Sequence, residues 1–193
     1  MGTVIVTNSV SLDGVMQGPG RPDEDTRDGF AYGGWMIPYS DEAMVAKMGE
    51  VMGGNRAFLF GRRTYEDLLA YWSAQGGPFK DALNHARKYV ASSNPTTRLD
   101  WPNSTLLHRD IPAAVANLKQ SSGTNLVILG SGVLISSLIA ADLIDEYLLM
   151  IAPVVLGTGR RLFAGDTHAL LRLTDSTTTS TGVVMATYKR PRG

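Results

Sequence analysis

The chain has 193 residues, of which 44% are hydrophobic and 19% charged, with 18 basic and 18 acidic side chains. This is the balance of a globule that buries its own core, so residues 1–193 read as a single domain, and a disordered or fibrous chain is excluded. Zero net charge leaves no long-range field for nucleic acid or an anionic membrane, and the absence of cysteine excludes disulfides, thiolate metal ligands and a cysteine nucleophile.

In chain order, Val4 to Val10 is a β-branched run that predicts a first strand, closed by the turn Ser11-Leu12-Asp13-Gly14. No secretory leader pattern precedes it, and no apolar stretch approaches the about 20 residues that span a bilayer, so a cytoplasmic protein is expected. Residues 18–34 are rich in glycine, proline and acids and predict a long surface loop. Met44, Val45, Met48, Val51 and Met52 recur at helical spacing behind Ser40 and Asp41, which suit an N-cap and first turn. Ala57 to Phe60 predicts a short buried strand, and Tyr65, Leu68, Leu69 and Trp72 mark a second helix. Strands follow at Lys88–Ala91 and Thr105–His108, then a helix from Ile111 capped by Asp110 with Pro112 in its first turn. Asn125–Leu129 and Glu146–Ile151 predict strands on either side of a helix bearing Leu134, Ile135, Leu138 and Ile139. Residues 170–179 and 182–189 predict a terminal antiparallel hairpin.

Two strand-to-helix joints carry the patterns that suit anions. Gly61-Arg62-Arg63-Thr64 lies between a buried strand and a helix start, where free amides, the helix dipole and guanidinium forks favour phosphate. The competing reading is a capping box from Thr64 to Asp67 with ordinary surface arginines. Gly130-Ser131-Gly132-Val133-Leu134 repeats the arrangement and would let a pyrophosphate approach the backbone; the competing reading is a tight turn with Ser131 as N-cap. Ile135 stands where the dinucleotide fingerprint has its third glycine, so the segment is not a Rossmann signature. Ser92 and Ser93 follow a strand at the edge where α/β sheets bind ligands. His85, His108 and His168 are scattered without ligand spacing, so no metal site is expected.

These segments, together with Trp35 and Pro38 before the first helix and the run from Leu143 to Gly159, resemble the dihydrofolate-reductase-like superfamily, and within it the RibD C-terminal (reductase) domain of riboflavin biosynthesis and its stand-alone relatives. The resemblance implies an α/β three-layer fold with a mixed, mostly parallel sheet of about eight strands and about four helices. It implies NADPH as cofactor, with Gly61, Arg62, Arg63, Thr64, Ser92 and Ser93 at its phosphate end and Gly130, Ser131, Gly132, Val133 and Leu134 at the pyrophosphate. The implied reaction is hydride transfer to a small nitrogen heterocycle such as a pteridine or pyrimidine, and the relatives suggest a homodimer.

Asp13 and Asp41 are the candidate catalytic carboxylates. Asp13 also suits a routine Asp-Gly turn. Asp41 stands one place late for the acid of folate enzymes, with Met150 where their strand carries threonine, and it equally suits a helix N-terminus. Trp35 and Tyr39 are candidates for stacking on a planar substrate, with core packing as the alternative. A nucleotide-binding or regulatory module without chemistry is the competing function.

Overall fold

The computed structural model describes residues 2–165 and 167–191. Its centre is an eight-stranded sheet in the order β4-β3-β2-β5-β1-β6-β8-β7. The strands are β1 (Val4–Ser11), β2 (Arg56–Gly61), β3 (Arg87–Ala91), β4 (Ser104–Leu107), β5 (Asn125–Leu129), β6 (Glu146–Ala152), β7 (Arg172–Thr178) and β8 (Val184–Lys189). The first six are mutually parallel, and β8 joins β6 and β7 antiparallel, as the predicted terminal hairpin requires.

The helices are α1 (Glu42–Met52), α2 (Arg62–Gln75), α3 (Gly77–His85), α4 (Ile111–Ser122) and α5 (Gly132–Ala140). Five helices stand where four were expected. The addition is α3, a nine-residue helix with Pro78 in its first turn and Leu83 as its one buried residue, Phe79 packing beside it one turn earlier.

Strand alternation sorts the side chains onto two faces. Val4, Val6, Ala57, Leu59, Leu126 and Ile128 face α4 and α5, packing with Val115, Ile135 and Leu138. Phe58, Phe60, Val127 and Leu148 face the other way, against Val51 of α1, Tyr65 of α2 and Leu83 of α3. A further cluster joins Met44 of α1 to Val15, Phe30, Trp35 and Met36 from the connection between β1 and α1 and to Met185 of β8. Right-handed crossovers account for this layering: the chain moves one way across the sheet after β1 and β2, and the opposite way after β4 and β5. Crevices therefore open at the carboxyl ends beside β5, flanked by β2 and β1, where connections leave for opposite faces.

Lys88 is wholly buried among these side chains, its ammonium donating to the carbonyls of Leu83 and Ala86 at the end of α3. Burial pulls its pKa down to about 8. The sheet is thus tied to α3 by a cation that closes the helix's free carbonyls. No helix among the described residues is long and apolar enough to cross a membrane.

Candidate functional site

Gly61 ends β2 and is the N-cap of α2, and Ser131 follows β5 and is the N-cap of α5. Neither makes a side-chain cap bond, so the first-turn amides of both helices remain available. Thr64 lies inside the first turn of α2 rather than at its cap, so the capping box with Asp67 does not form; Asp67 instead pairs with Arg21 at 2.6 Å.

The two joints are bonded to each other. The Ser131 hydroxyl accepts from the Gly61 amide and donates to Thr64 Oγ1, each at 2.8 Å. Ser131 holds a left-handed backbone (φ 68°, ψ 56°) directly after Gly130, also left-handed at φ 64°. A non-glycine residue in that region is held there at a cost, and the hydroxyl bridge is what holds it.

Both joints line one cleft of about 1290 Å³. All eleven residues expected at the cofactor, Gly61 to Thr64, Ser92, Ser93 and Gly130 to Leu134, border it. The Ser92 hydroxyl is occupied within its own turn by Thr97 and Asn94, whereas Ser93 is exposed. Five arginines border the cleft, and their partners separate them. Arg62 pairs with Glu66, Arg27 with Asp25, Arg160 with Asp28 and Arg161 with Asp13. Arg63 is exposed and has no carboxylate partner among the described residues.

The long loop closes one wall of the cleft. It is strapped down by the Arg21–Asp67 pair, by Arg21 stacking 4.4 Å over the Tyr71 ring and by the Arg160–Asp28 pair at 2.8 Å. Glu24 accepts from the amides of Gly20 and Arg21, and burial raises its carboxyl above the ordinary value. Met16, Gln17, Glu24, Arg160 and Arg161 belong to this wall, and sequence reasoning did not single them out. The conspicuous Gly157-Thr158-Gly159 loop was the available signal: Gly159 (φ 110°) lies so close to Phe30 and Val15 that a Cβ there would come within 2.7 Å of each.

The four remaining site candidates lie elsewhere. Asp13 accepts from the Ser11 hydroxyl at 2.7 Å, the amides of Leu156 and Gly157, and Arg161, which together hold its carboxyl far below the usual range. It latches the β1 turn to the segment after β6. Asp41 caps α1 through the Met44 amide and also accepts from the backbone and hydroxyl of Ser180, which lower its pKa. Neither borders the cleft, and both carboxylates are spent on holding loops. Trp35 is 8% exposed, with its indole N–H on the Gln17 carbonyl, and Tyr39 packs against the same apolar cluster. Their surroundings are those of core packing.

The Asp13 latch has a pH signature. A carboxylate whose pKa is depressed on folding contributes stability that is present above its unfolded value, near 3.8, and is lost as pH falls below it. The melting temperature of the native chain is therefore expected to fall more steeply below about pH 4 than that of Asp13→Asn, while the variant is the less stable at neutrality. Parallel acid slopes in thermal melts would remove Asp13 from this role.

The RibD C-terminal domain family matches residues 2–185. The chain belongs to that family. Across 191 residues, 96% of this chain and 93% of the relative, it is 26% identical to the uncharacterized protein YyaP of Bacillus subtilis. A protein from Shewanella sp. PV-4 named for riboflavin biosynthesis superposes with a TM-score of 0.71 at 22% identity, covering 98% of this chain and 99% of that one. Dihydrofolate reductase from Enterococcus faecalis, complexed with NADP(H), gives 0.63 at 15% identity, covering 99% and 98%. At these identities the structural likenesses carry the fold, which is the dihydrofolate-reductase-like one.

Proposed function

We propose that this RibD C-terminal-like domain is an NADPH-dependent reductase of a small nitrogen heterocycle. The observation that carries this reading is the direct bonding of two uncapped helix starts, at Gly61 and Ser131, on one wall of one cleft. The residues present fit a dinucleotide phosphate: Gly130 and Gly132 keep side chains off the α5 corner, and Arg63 offers at the α2 corner a guanidinium with no carboxylate partner among the described residues.

In this reading the amides of Gly132 to Leu134 take the pyrophosphate and Arg63 takes the ribose phosphate, with Ser93 beside it. Ser131 fixes the distance between the two corners. The strapped loop from Gly18 to Arg27 limits water over the cleft. The bound cofactor supplies a hydride from its dihydronicotinamide ring. Because Asp13 and Asp41 are committed to backbone amides, the accompanying proton comes from solvent rather than from either carboxylate. A cytoplasmic location and a second copy of the chain as partner belong to the same reading; β7, exposed along its length at the sheet edge, is where a second copy has backbone to pair with.

The same commitment of both carboxylates favours a second reading, a dinucleotide-binding module without turnover. Loss of the nicotinamide absorbance against a panel of pteridines and pyrimidines tests the two. Oxidation of NADPH with any of them supports the reductase; saturable binding with no oxidation across the panel supports the module.

A further inference from the structure

The central strand carries a polar group that the fold does not use. Asn8 of β1 is 6% exposed, and its Oδ1 has no hydrogen-bond partner among the described residues. Among the described residues its Nδ2 reaches only the Met16 sulfur, at 3.8 Å. Turning the amide over repairs nothing, because the oxygen then faces a thioether that cannot donate and the nitrogen faces no partner among the described residues.

The position makes this more than a packing flaw. Asn8 lies on the face of β1 that also carries Val6 and Val10, pairing in register with Leu149 of β6, in a region otherwise built from aliphatic side chains. An aliphatic residue would be the cheaper occupant, since a buried amide without partners loses its hydration for nothing. Above it lies Met16, itself 8% exposed and forming part of the cleft wall. The Met16 sulfur also approaches the α5 corner, 3.4 Å from where a Cβ on Gly132 would stand. Met16 therefore separates a buried amide from the corner assigned to the pyrophosphate. Methionine, unbranched and with three rotatable side-chain bonds, is the apolar residue best able to swing aside.

Resting on the reductase reading above, we propose that Met16 is a displaceable cover and that Asn8 beneath it reads the carboxamide of the nicotinamide ring. The ring is joined to the pyrophosphate through one ribose, so a pyrophosphate at Gly132 brings the ring to the neighbourhood of Met16. A primary carboxamide has one acceptor and a donor pair, as Asn8 does, so the two amides satisfy each other by exchanging N–H···O bonds. The ligand then repairs the orphaned oxygen, and the cost stored in the free protein favours the loaded one.

The test uses Asn8→Leu, near in shape and apolar. Without ligand its melting temperature should equal or exceed that of the native chain, because the unpaired amide is gone. NADPH should bind about tenfold more weakly or worse, while adenosine 2′,5′-bisphosphate, which lacks the nicotinamide end, should bind both proteins equally. The native chain should also bind the 3-acetylpyridine analogue of NADPH, whose ketone cannot donate, about tenfold more weakly than NADPH, a preference that Asn8→Leu loses. Equal NADPH affinity in the two proteins, with the bisphosphate binding both, overturns the Asn8 assignment and leaves the reductase reading standing. Failure of the native chain to bind either NADPH or the bisphosphate overturns both. Should the variant not fold, the native chain's own comparison of the two dinucleotides decides, and equal affinities overturn the assignment.

Discussion

Arg63→Ala should weaken NADPH binding by about ten- to a hundredfold while changing NADH binding by less than about threefold. The difference between the cofactors is one ribose phosphate, a dianion near neutral pH, and a charge-assisted bond to it contributes about 1.5–3 kcal/mol. Arg63 is selected over its neighbours because, among the described residues, it is the cleft arginine whose charge is not already matched. Arg62 holds Glu66 through both carboxylate oxygens, at 3.0 and 2.9 Å, so Arg62→Ala should cost less and should depend on that pair. Fluorescence titration of the two cofactors against the two variants makes the comparison. A loss at Arg63→Ala that is equal for NADPH and NADH would put the ribose phosphate elsewhere.

Ser131→Ala is expected to damage stability and binding together. The Gly61 amide loses its acceptor and Thr64 loses its donor, and alanine inherits a left-handed backbone position with nothing to hold it there. Leaving a partly buried amide unsatisfied costs about 1–3 kcal/mol, which for a domain of this size lowers the melting temperature by several degrees, at about 2–4 °C per kcal/mol. Thr64→Val removes only the acceptor of one of the two bonds and should cost less. The binding loss in Ser131→Ala should extend to NADPH and NADH alike, because the bridge sets the spacing of the corners and not the charge at one of them. A Ser131→Ala chain that melts and binds as the native one does would mean that the two helix starts are held in place by packing alone.

The parts of this site that the sequence discloses are those written in local chemistry. A buried strand of four or five residues followed by glycine and a helix is readable at Phe58–Arg62 and again at Val127–Gly132, because strand burial and the glycine requirement are both properties of a few adjacent residues. The helix start at Ser40-Asp41 is readable for the same reason, although the cap is Asp41 rather than Ser40, and so is the cap at Asp110; Asp41 and Asp110 each accept an amide three residues on. The helix α3 is not readable, since Gly76-Gly77-Pro78 reads as a break in the chain and only Phe79 and Leu83 mark the inner side of the short helix that follows.

What stays hidden depends on pairs distant in the chain. Arg62 and Arg63 look alike until Glu66 is seen to take one of them. Asp13 has the appearance of a site carboxylate until Leu156 and Gly157, more than a hundred residues away in sequence, donate their amides to it. Ser131 reads as an N-cap, but its hydroxyl crosses to Gly61, 70 residues away. The loop wall with Met16 and Arg160 is invisible for the same reason: the residues before β7 and those after β1 meet only because β1 and β6 are neighbours in the sheet.

The two joined helix starts should receive one dinucleotide between them. Backbone amide shifts in a nitrogen–proton correlation spectrum, followed during titration with NADPH, report on that directly. The largest and saturable changes should fall on Gly61 to Thr64 and Gly130 to Leu134 together, with a common midpoint. Changes confined to one of the two segments, or centred on residues outside the cleft, would contradict it.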